Sequence, residues 1–304
     1  MNRIFDFSED EVKLRVDHSQ LEIQWLDGRK MTTPICEIAV VVLSAWRMSL
    51  TKNVLEELAK SGAVLVVCDE KKLPIGMMTP LVGHHKQSRF MQEQASASVI
   101  IRKRVWKTLV RAKIRSQAWV LKEIFGTDYR VGNLAEQVKS GDSTNIEARA
   151  ARKYWKHLFE ERDFRRDPES EDMLNVALNY GYAILRSITA RAIVSAGLNP
   201  SLGVFHHHMY NPFCLADDLM EPLRPVVDRC VYRLAEQEKL AAELTPPLKK
   251  TIIDAISGRY IVAGCQETIF ETVCQIASSL VDVLGGRQAE IELPTCLPKS
   301  EHEA

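Results

Sequence analysis

His206 ends a short run after Gly203 and Phe205, and Asp217, Asp218 and Glu221 follow it closely. Asn211 and Pro212 suit a helix start between them, because Asn caps free N–H groups and Pro fits the first turn. On such a helix Asp218 and Glu221 are three apart and share a face. Two carboxylates facing one way are tolerated when solvated, when one holds a proton, or when a cation lies between them. An imidazole with carboxylates suits a divalent metal used for phosphate chemistry. The same spacing describes a plain acidic helix face, so spacing alone leaves both open. Pro222 removes a hydrogen bond to the Asp218 carbonyl, which predicts a bend or an end beside Glu221. His206, His207 and His208 cannot all hold one ion, since neighbours in an extended chain point to opposite sides.

A further carboxylate stands upstream. Thr144 and Glu147 fit a capping box, in which Glu147 bonds back to the Thr144 amide. That is a full structural account of Glu147; chemistry needs it turned toward His206 instead. Ala148, Ala150 and Ala151 keep its helix face small. Tyr154 and Trp155 are placed to pack there or to stack on a base.

These residues need elements to hold them, and the pattern predicts an α+β chain. Residues 12–16 and 21–25 alternate apolar and polar side chains around a turn at His18 and Ser19, and Asp27–Gly28 marks another turn. Residues 38–43 form a continuous β-branched run, as in a central strand. A helix over 51–61 starts at Thr51 and stops at Gly62; strands follow at 64–68 and 74–78. After Pro80 helices are predicted over 86–97, 99–124, 131–139, 144–160, 171–196, 213–221, 226–241, 247–257 and 266–284, then a tail over 287–304. The division is a small β-rich domain over 1–82, a linker over 83–92, and a larger all-α domain over 93–304.

The 304 residues are 46% apolar, enough for real cores, and carry a formal net charge of zero. The distribution of charge says more. Residues 86–115 hold nine Lys or Arg against one acid, Glu93. Lys86, Arg89, Arg102, Lys103, Arg104, Lys107 and Arg111 are the candidates for contacts with a polyanion; a solvated helix face paired with acids from elsewhere is the other reading. Seven scattered cysteines without a CxxC pair argue against structural zinc and suit reduced thiols in a cytoplasm. Asp6, Glu9, Asp10 and Glu11 do not fit a secretory signal, and the apolar stretch over 173–198 is interrupted by Asn175, Asn179, Arg186 and Arg191.

Four motifs together carry a family resemblance. They are Asp142-x-x-Asn145-x-Glu147-Ala148-x-Ala150-Ala151, Leu178-Asn179-Tyr180-Gly181-Tyr182-Ala183-Ile184-Leu185, Gly197-Leu198-Asn199-Pro200-x-Leu202-Gly203-x-Phe205-His206 and Asp218-Leu219-Met220-Glu221-Pro222-x-Arg224-Pro225. Across essentially the whole chain the pattern resembles the universal CRISPR-associated spacer-acquisition integrase of antiviral defence. Asn211-Pro212-Phe213, and Glu rather than Asp at 221, resemble the type II branch.

The resemblance implies a metal-dependent DNA endonuclease and integrase. Glu147, His206 and Glu221 would be both catalytic residues and metal ligands, and Asp218 an auxiliary ligand or an orienter. The ion would be Mg²⁺ or Mn²⁺, and one imidazole among oxygen ligands tilts the choice slightly to Mn²⁺. His207 and His208 match no required position and are expected to be loop residues near DNA. A 3′-hydroxyl of a double-stranded DNA fragment would attack a phosphodiester at a CRISPR repeat boundary. The resemblance also implies a cytoplasmic homodimer joined through the β-rich domains, with a small second universal CRISPR-associated protein bridging two dimers. A branched-DNA repair nuclease without integration, and a non-catalytic DNA-binding scaffold, are the alternatives.

Overall fold

Alternation and β-branched runs build the first part of the chain. β1 (Arg3–Phe7) precedes a hairpin of β2 (Val12–Asp17) and β3 (Gln20–Trp25), turned at His18 and Ser19 with φ of 45° and 61°. β4 (Lys30–Pro34) pairs with β3, and β6 (Met48–Leu50), after the central β5 (Ile38–Leu43), pairs with β2. The sheet order is β4-β3-β2-β6. α1 (Lys52–Lys60) then leads to β7 (Val64–Cys68) and β8 (Pro74–Met78), which join a second sheet of order β1-β5-β7-β8. Leu14, Ile23, Val41, Val54, Leu58 and Leu65 pack both sheets and α1 into one core. β1, β4 and β6 escape the sequence pattern: β4 is largely polar, and β6 is only three residues long, so pairing rather than alternation defines it.

The computed structural model describes residues 3–8, 11–70, 72–162, 164–240, 242–262, 264–295 and 297. The chain divides into two compact units, Met1–His85 and Lys86–Ala304. α2 (Gln87–Ser96) falls within the helix predicted over 86–97 and takes in residues 87–92 of the expected linker. The second unit continues with α3 (Val99–Phe125), α4 (Ile146–Leu158), α5 (Met173–Ser195), α6 (Cys214–Met220), α7 (Arg224–Glu236), α8 (Pro246–Ile256) and α9 (Ile269–Leu284). Ser98 caps α3 by accepting from the Ile101 N–H, and Gly126, at φ 72°, ends it. α5 is apolar nearly all round because α7, α8 and α9 pack against it.

Three details differ from the pattern expected over 93–304. The helix over 131–139 is a 3₁₀ segment, Gly132–Gln137. The region is not wholly α-helical, because β9 (Arg259–Val262) and β10 (Cys265–Thr268) form a hairpin. Its Tyr260 and Val262 alternate inward over only four residues, too few to stand out beside the helices. The described part of the expected tail is packed: Ile291 and Leu297 are buried, and the Thr295 N–H donates to the Ile261 carbonyl. Pro298 and Cys296 lie outside the described residues. Among those described, no helix is long and apolar enough to cross a membrane.

Candidate metal centre

Glu147 stands in the first turn of α4, and its surroundings are not those of a capping box. Asp142, at φ 47°, aims its carboxylate at the helix start and accepts the N–H groups of Ile146 and Glu147, each at 2.9 Å. Asn145, also left-handed at φ 52°, occupies the cap position without a side-chain bond. Asn145 rather than Thr144 holds the cap position, and Asp142 accepts the Glu147 amide that Thr144 would take in a capping box, so the box does not form. The Glu147 carboxylate turns to Lys113 of α3, whose Nζ lies 2.6 Å from Glu147 Oε1.

The same ammonium lies 2.6 Å from Oε2 of Glu221. Glu221 follows α6 directly, where Pro222 ends the helix and a 3₁₀ turn, Glu221–Leu223, begins. Its other oxygen accepts from Arg224 Nη1 at 2.8 Å. Burial alone would raise the Glu221 carboxyl, but Arg224 and Lys113 outweigh it and hold the group at about 2. Burial likewise disfavours the Lys113 charge, yet Glu221 and Glu147 together carry its pKa above the ordinary lysine value. Arg224 also lies over the Tyr182 ring at 4.1 Å, and the Tyr182 hydroxyl donates to the buried Asp228.

His206 reaches the centre from the loop before α6. Asp218, fully buried, accepts from the backbone N–H groups of Val204 at 2.6 Å, Phe205 at 2.9 Å and His206 at 3.3 Å. Its Oδ1 also lies 2.6 Å from His206 Nδ1. That bond sets the ring orientation and leaves Nε2 as the other nitrogen. The Asp218 bond raises the His206 pKa most, burial opposes it, and the charges of Asp218, Glu221 and Glu147 add to the rise. Trp106 of α3 supports the loop: Phe205 stacks on it at 4.1 Å, and His206 meets it edge-on at 5.5 Å. Gly203 permits the tight approach, since a Cβ there would fall 2.3 Å from the His206 carbonyl oxygen. His207 and His208 are exposed, and His208 Nδ1 is near the Tyr210 N–H at 3.4 Å.

Glu147 and Glu221 therefore meet at one cation, and that cation is Lys113. His206 lies close enough to feel both acids but is bonded to Asp218. The expected arrangement of three ligands at the spacing of one ion is not present: among the described residues, no three His, Cys, Asp or Glu groups stand at that spacing. Two converging carboxylates need a positive partner, and Lys113 meets that need. The donor chemistry still fits a divalent ion. Glu221 Oε2 is buried, and its partner in the structure is the Lys113 ammonium at 2.6 Å. Two such carboxylates with an imidazole beside them are suitable partners for Mg²⁺ or Mn²⁺.

The basic block is divided in its partners. Arg89 pairs with Glu93 at 2.8 Å and Arg115 with Glu136 at 2.7 Å. Arg111 donates to the Ala135 carbonyl at 3.1 Å and lies 3.5 Å from Glu136. Lys86 is exposed just ahead of α2. Arg102, Lys103 and Arg104 form no ion pair among the described residues. Lys107 and Arg111 line a surface groove with Lys139 and Arg149, next to the start of α4. Sequence reasoning did not single out Lys139 or Arg149, since they fall outside the dense block. It counted Lys113 only as one more cation. Tyr154 is fully buried, and Trp155 packs with Phe159 and Phe164.

A family model described as CRISPR associated protein Cas1 matches residues 7–247. A CRISPR-associated endonuclease Cas1 of Neisseria meningitidis is 37% identical over 295 residues, covering 96% of this chain and 95% of the relative. Among solved structures, a casposase bound to an integration product superposes with a TM-score of 0.82 at 21% identity, covering 98% of this chain and 95% of that one. A Cas6-RT-Cas1–Cas2 complex gives a TM-score of 0.72 at 17% identity over 95% of this chain and 35% of that one.

Proposed function

This chain belongs to the CRISPR-associated Cas1 family, and on that premise we propose that it is a metal-dependent DNA endonuclease and integrase that inserts DNA fragments into a CRISPR array. The observation that carries the proposal is the convergence of Glu147 and Glu221, from separate elements, on one cation beside His206. Relatives named as a Cas1 endonuclease and a casposase with its integration product support the same reading.

Glu147, Glu221 and His206 Nε2 would hold a Mg²⁺ or Mn²⁺ ion. When bound, the ion supplies charge stabilisation to the scissile phosphate. Asp218 fixes the His206 ring and its loop; Arg224 anchors Glu221 from the far side. The oxygen of a fragment 3′-hydroxyl forms a bond to phosphorus, and the bond from that phosphorus to the array's own 3′ oxygen breaks. One proton leaves the attacking hydroxyl and one arrives on the departing 3′ oxygen, so the number of phosphodiesters is unchanged. With water as attacker the same centre hydrolyses DNA. No protein nucleophile is required.

Lys107, Arg111, Lys139 and Arg149, with Arg102, Lys103 and Arg104, would carry phosphate contacts. The assigned partners are the double-stranded fragment, the repeat DNA, a second copy of this chain through its β-rich unit, and a small second CRISPR-associated subunit bridging two dimers. The neighbouring Cas1–Cas2 complex supports the last of these. The discriminating assay is strand transfer into repeat DNA with Mn²⁺, comparing a fragment with a free 3′-hydroxyl against one with a blocked 3′ end. Joined product only with the free end is expected. Cleavage without joining from either fragment would mark a nuclease that does not integrate.

A further inference from the structure

We propose that Lys113 is a built-in place-holder for the divalent cation: its ammonium keeps Glu147 and Glu221 converged when the ion is absent and competes with the ion for both carboxylates. This rests on the metal-centre reading given above. The geometry is specific. Lys113 comes from the middle of α3, Glu147 from the first turn of α4 and Glu221 from the turn after α6, and one nitrogen lies 2.6 Å from an oxygen of each acid. Its side chain is only 13% exposed, so this is no loose surface pair.

Each partner depends on the ammonium differently. Glu221 has a second cation in Arg224. Glu147 has Lys113 as its sole ion-pair partner among the described residues. Without a positive charge between them, the two carboxylates would repel, and Glu147 could swing outward along the small face of α4. Lys113 thus keeps one ligand in place before an ion arrives.

It is also suited to yield. An ammonium is a compact charge on a flexible four-carbon stem, so it can withdraw without movement of α3. An arginine would instead grip both carboxylates with a planar fork. The contact at Glu221 Oε2 is to a single ammonium nitrogen, and a cation of suitable size can take it over. Exchange of a single charge for a double one also makes the cluster more positive, which favours an arriving phosphate.

The experiment is a calorimetric Mn²⁺ titration of the full chain and of Lys113→Met, Lys113→Arg and Glu147→Gln. Lys113→Met should bind Mn²⁺ on the order of tenfold more tightly than the wild type, within the usual range of coupling between competing sites. Lys113→Arg should bind it more weakly. A second readout needs no variant: acylation of the Lys113 amine, followed by mass spectrometry, should rise severalfold when Mn²⁺ saturates the wild type. Suppose Lys113→Met binds no tighter while Glu147→Gln abolishes wild-type binding; the place-holder is then overturned and the metal centre stands. If the wild type shows no binding that Glu147→Gln removes, the metal centre itself is wrong and the place-holder goes with it. If Lys113→Met does not fold, unchanged acylation of Lys113 at saturating Mn²⁺ overturns the proposal.

Discussion

Asp218 shows how one residue can set the geometry of another. It is fully buried and accepts from three successive backbone amides and from His206 Nδ1. Of the two roles its motif allows, auxiliary ligand or orienter, these bonds support the orienter. They also distinguish the histidines, because only His206 is tied to a buried carboxylate while His207 and His208 are exposed. His206→Ala should lower strand transfer on the order of a hundredfold or more, the usual scale for losing several kcal/mol of transition-state stabilisation. DNA affinity should stay nearly unchanged, because the cations proposed to contact phosphates lie elsewhere. His208→Ala should cost only a few-fold. Strand transfer and DNA binding at saturating Mn²⁺ decide it, and a dead His208→Ala beside an active His206→Ala would reverse the assignment. At this scale, residue type and spacing bring His206, Asp218 and Glu221 into view, whereas Glu147 comes into view only through the family motif. Lys113 is hidden, because no local spacing says which of nine nearby cations meets an acid far along the chain. The capping-box pattern at Thr144 misleads for a related reason: Asp142 takes the amides through a left-handed turn that the pattern does not anticipate.

α3 serves the site on one side and presents charge on others. Val105, Trp106, Leu109 and Val110 are buried, and Lys113 turns into the acid pair. Arg102, Lys103 and Arg104 stand free of ion pairs among the described residues, whereas Arg115 is committed to Glu136. The long basic helix is legible from its composition, and its expected range of 99–124 lies close to the observed Val99–Phe125. Which of its cations remain available is not legible, since that depends on acids supplied by other elements. Substituting Arg102, Lys103, Arg104 and Lys107 together should weaken duplex binding almost evenly across sequences. Every cation removed from a phosphate should flatten the slope of log affinity against log salt by roughly 0.9. Arg115→Ala should leave that slope within error of the wild type. Affinities measured across a range of salt test both statements, and an unchanged slope in the fourfold variant would assign these residues to folding or to a protein partner.

At the scale of the whole helical unit, one buried acid joins the elements that carry the site. Asp228 of α7 accepts from the Tyr182 hydroxyl of α5, with Tyr154 of α4 beside it. Arg224 and Arg166 lie over the same Tyr182 ring at 4.1 and 5.4 Å. The helical repeats of α4, α5 and α7 could be read from sequence, but this polar junction could not, because its members look like isolated exceptions on apolar faces. Burial raises the Asp228 carboxyl, the Tyr182 bond and the Arg224 charge oppose it, and the balance leaves the group at about 6. In the unfolded chain the same group titrates near its ordinary value of 3.8. Between these values the folded chain holds a proton that the unfolded chain has released. The contribution of Asp228 to stability is therefore full below about pH 4 and is lost as pH rises through about 6. Asp228→Asn cannot titrate there. The stability of the wild type relative to Asp228→Asn should fall between about pH 4 and pH 7, by roughly 3 kcal/mol at most on the scale of about 1.4 kcal/mol per unit. Urea unfolding of both proteins across that range measures the difference, and since all other titrating groups are shared, they cancel to first order. A difference that stays flat, or that grows with pH, would show Asp228 to be an ordinary carboxylate stabilised by Arg224, and would make the junction an ion pair rather than a carboxyl kept protonated by burial.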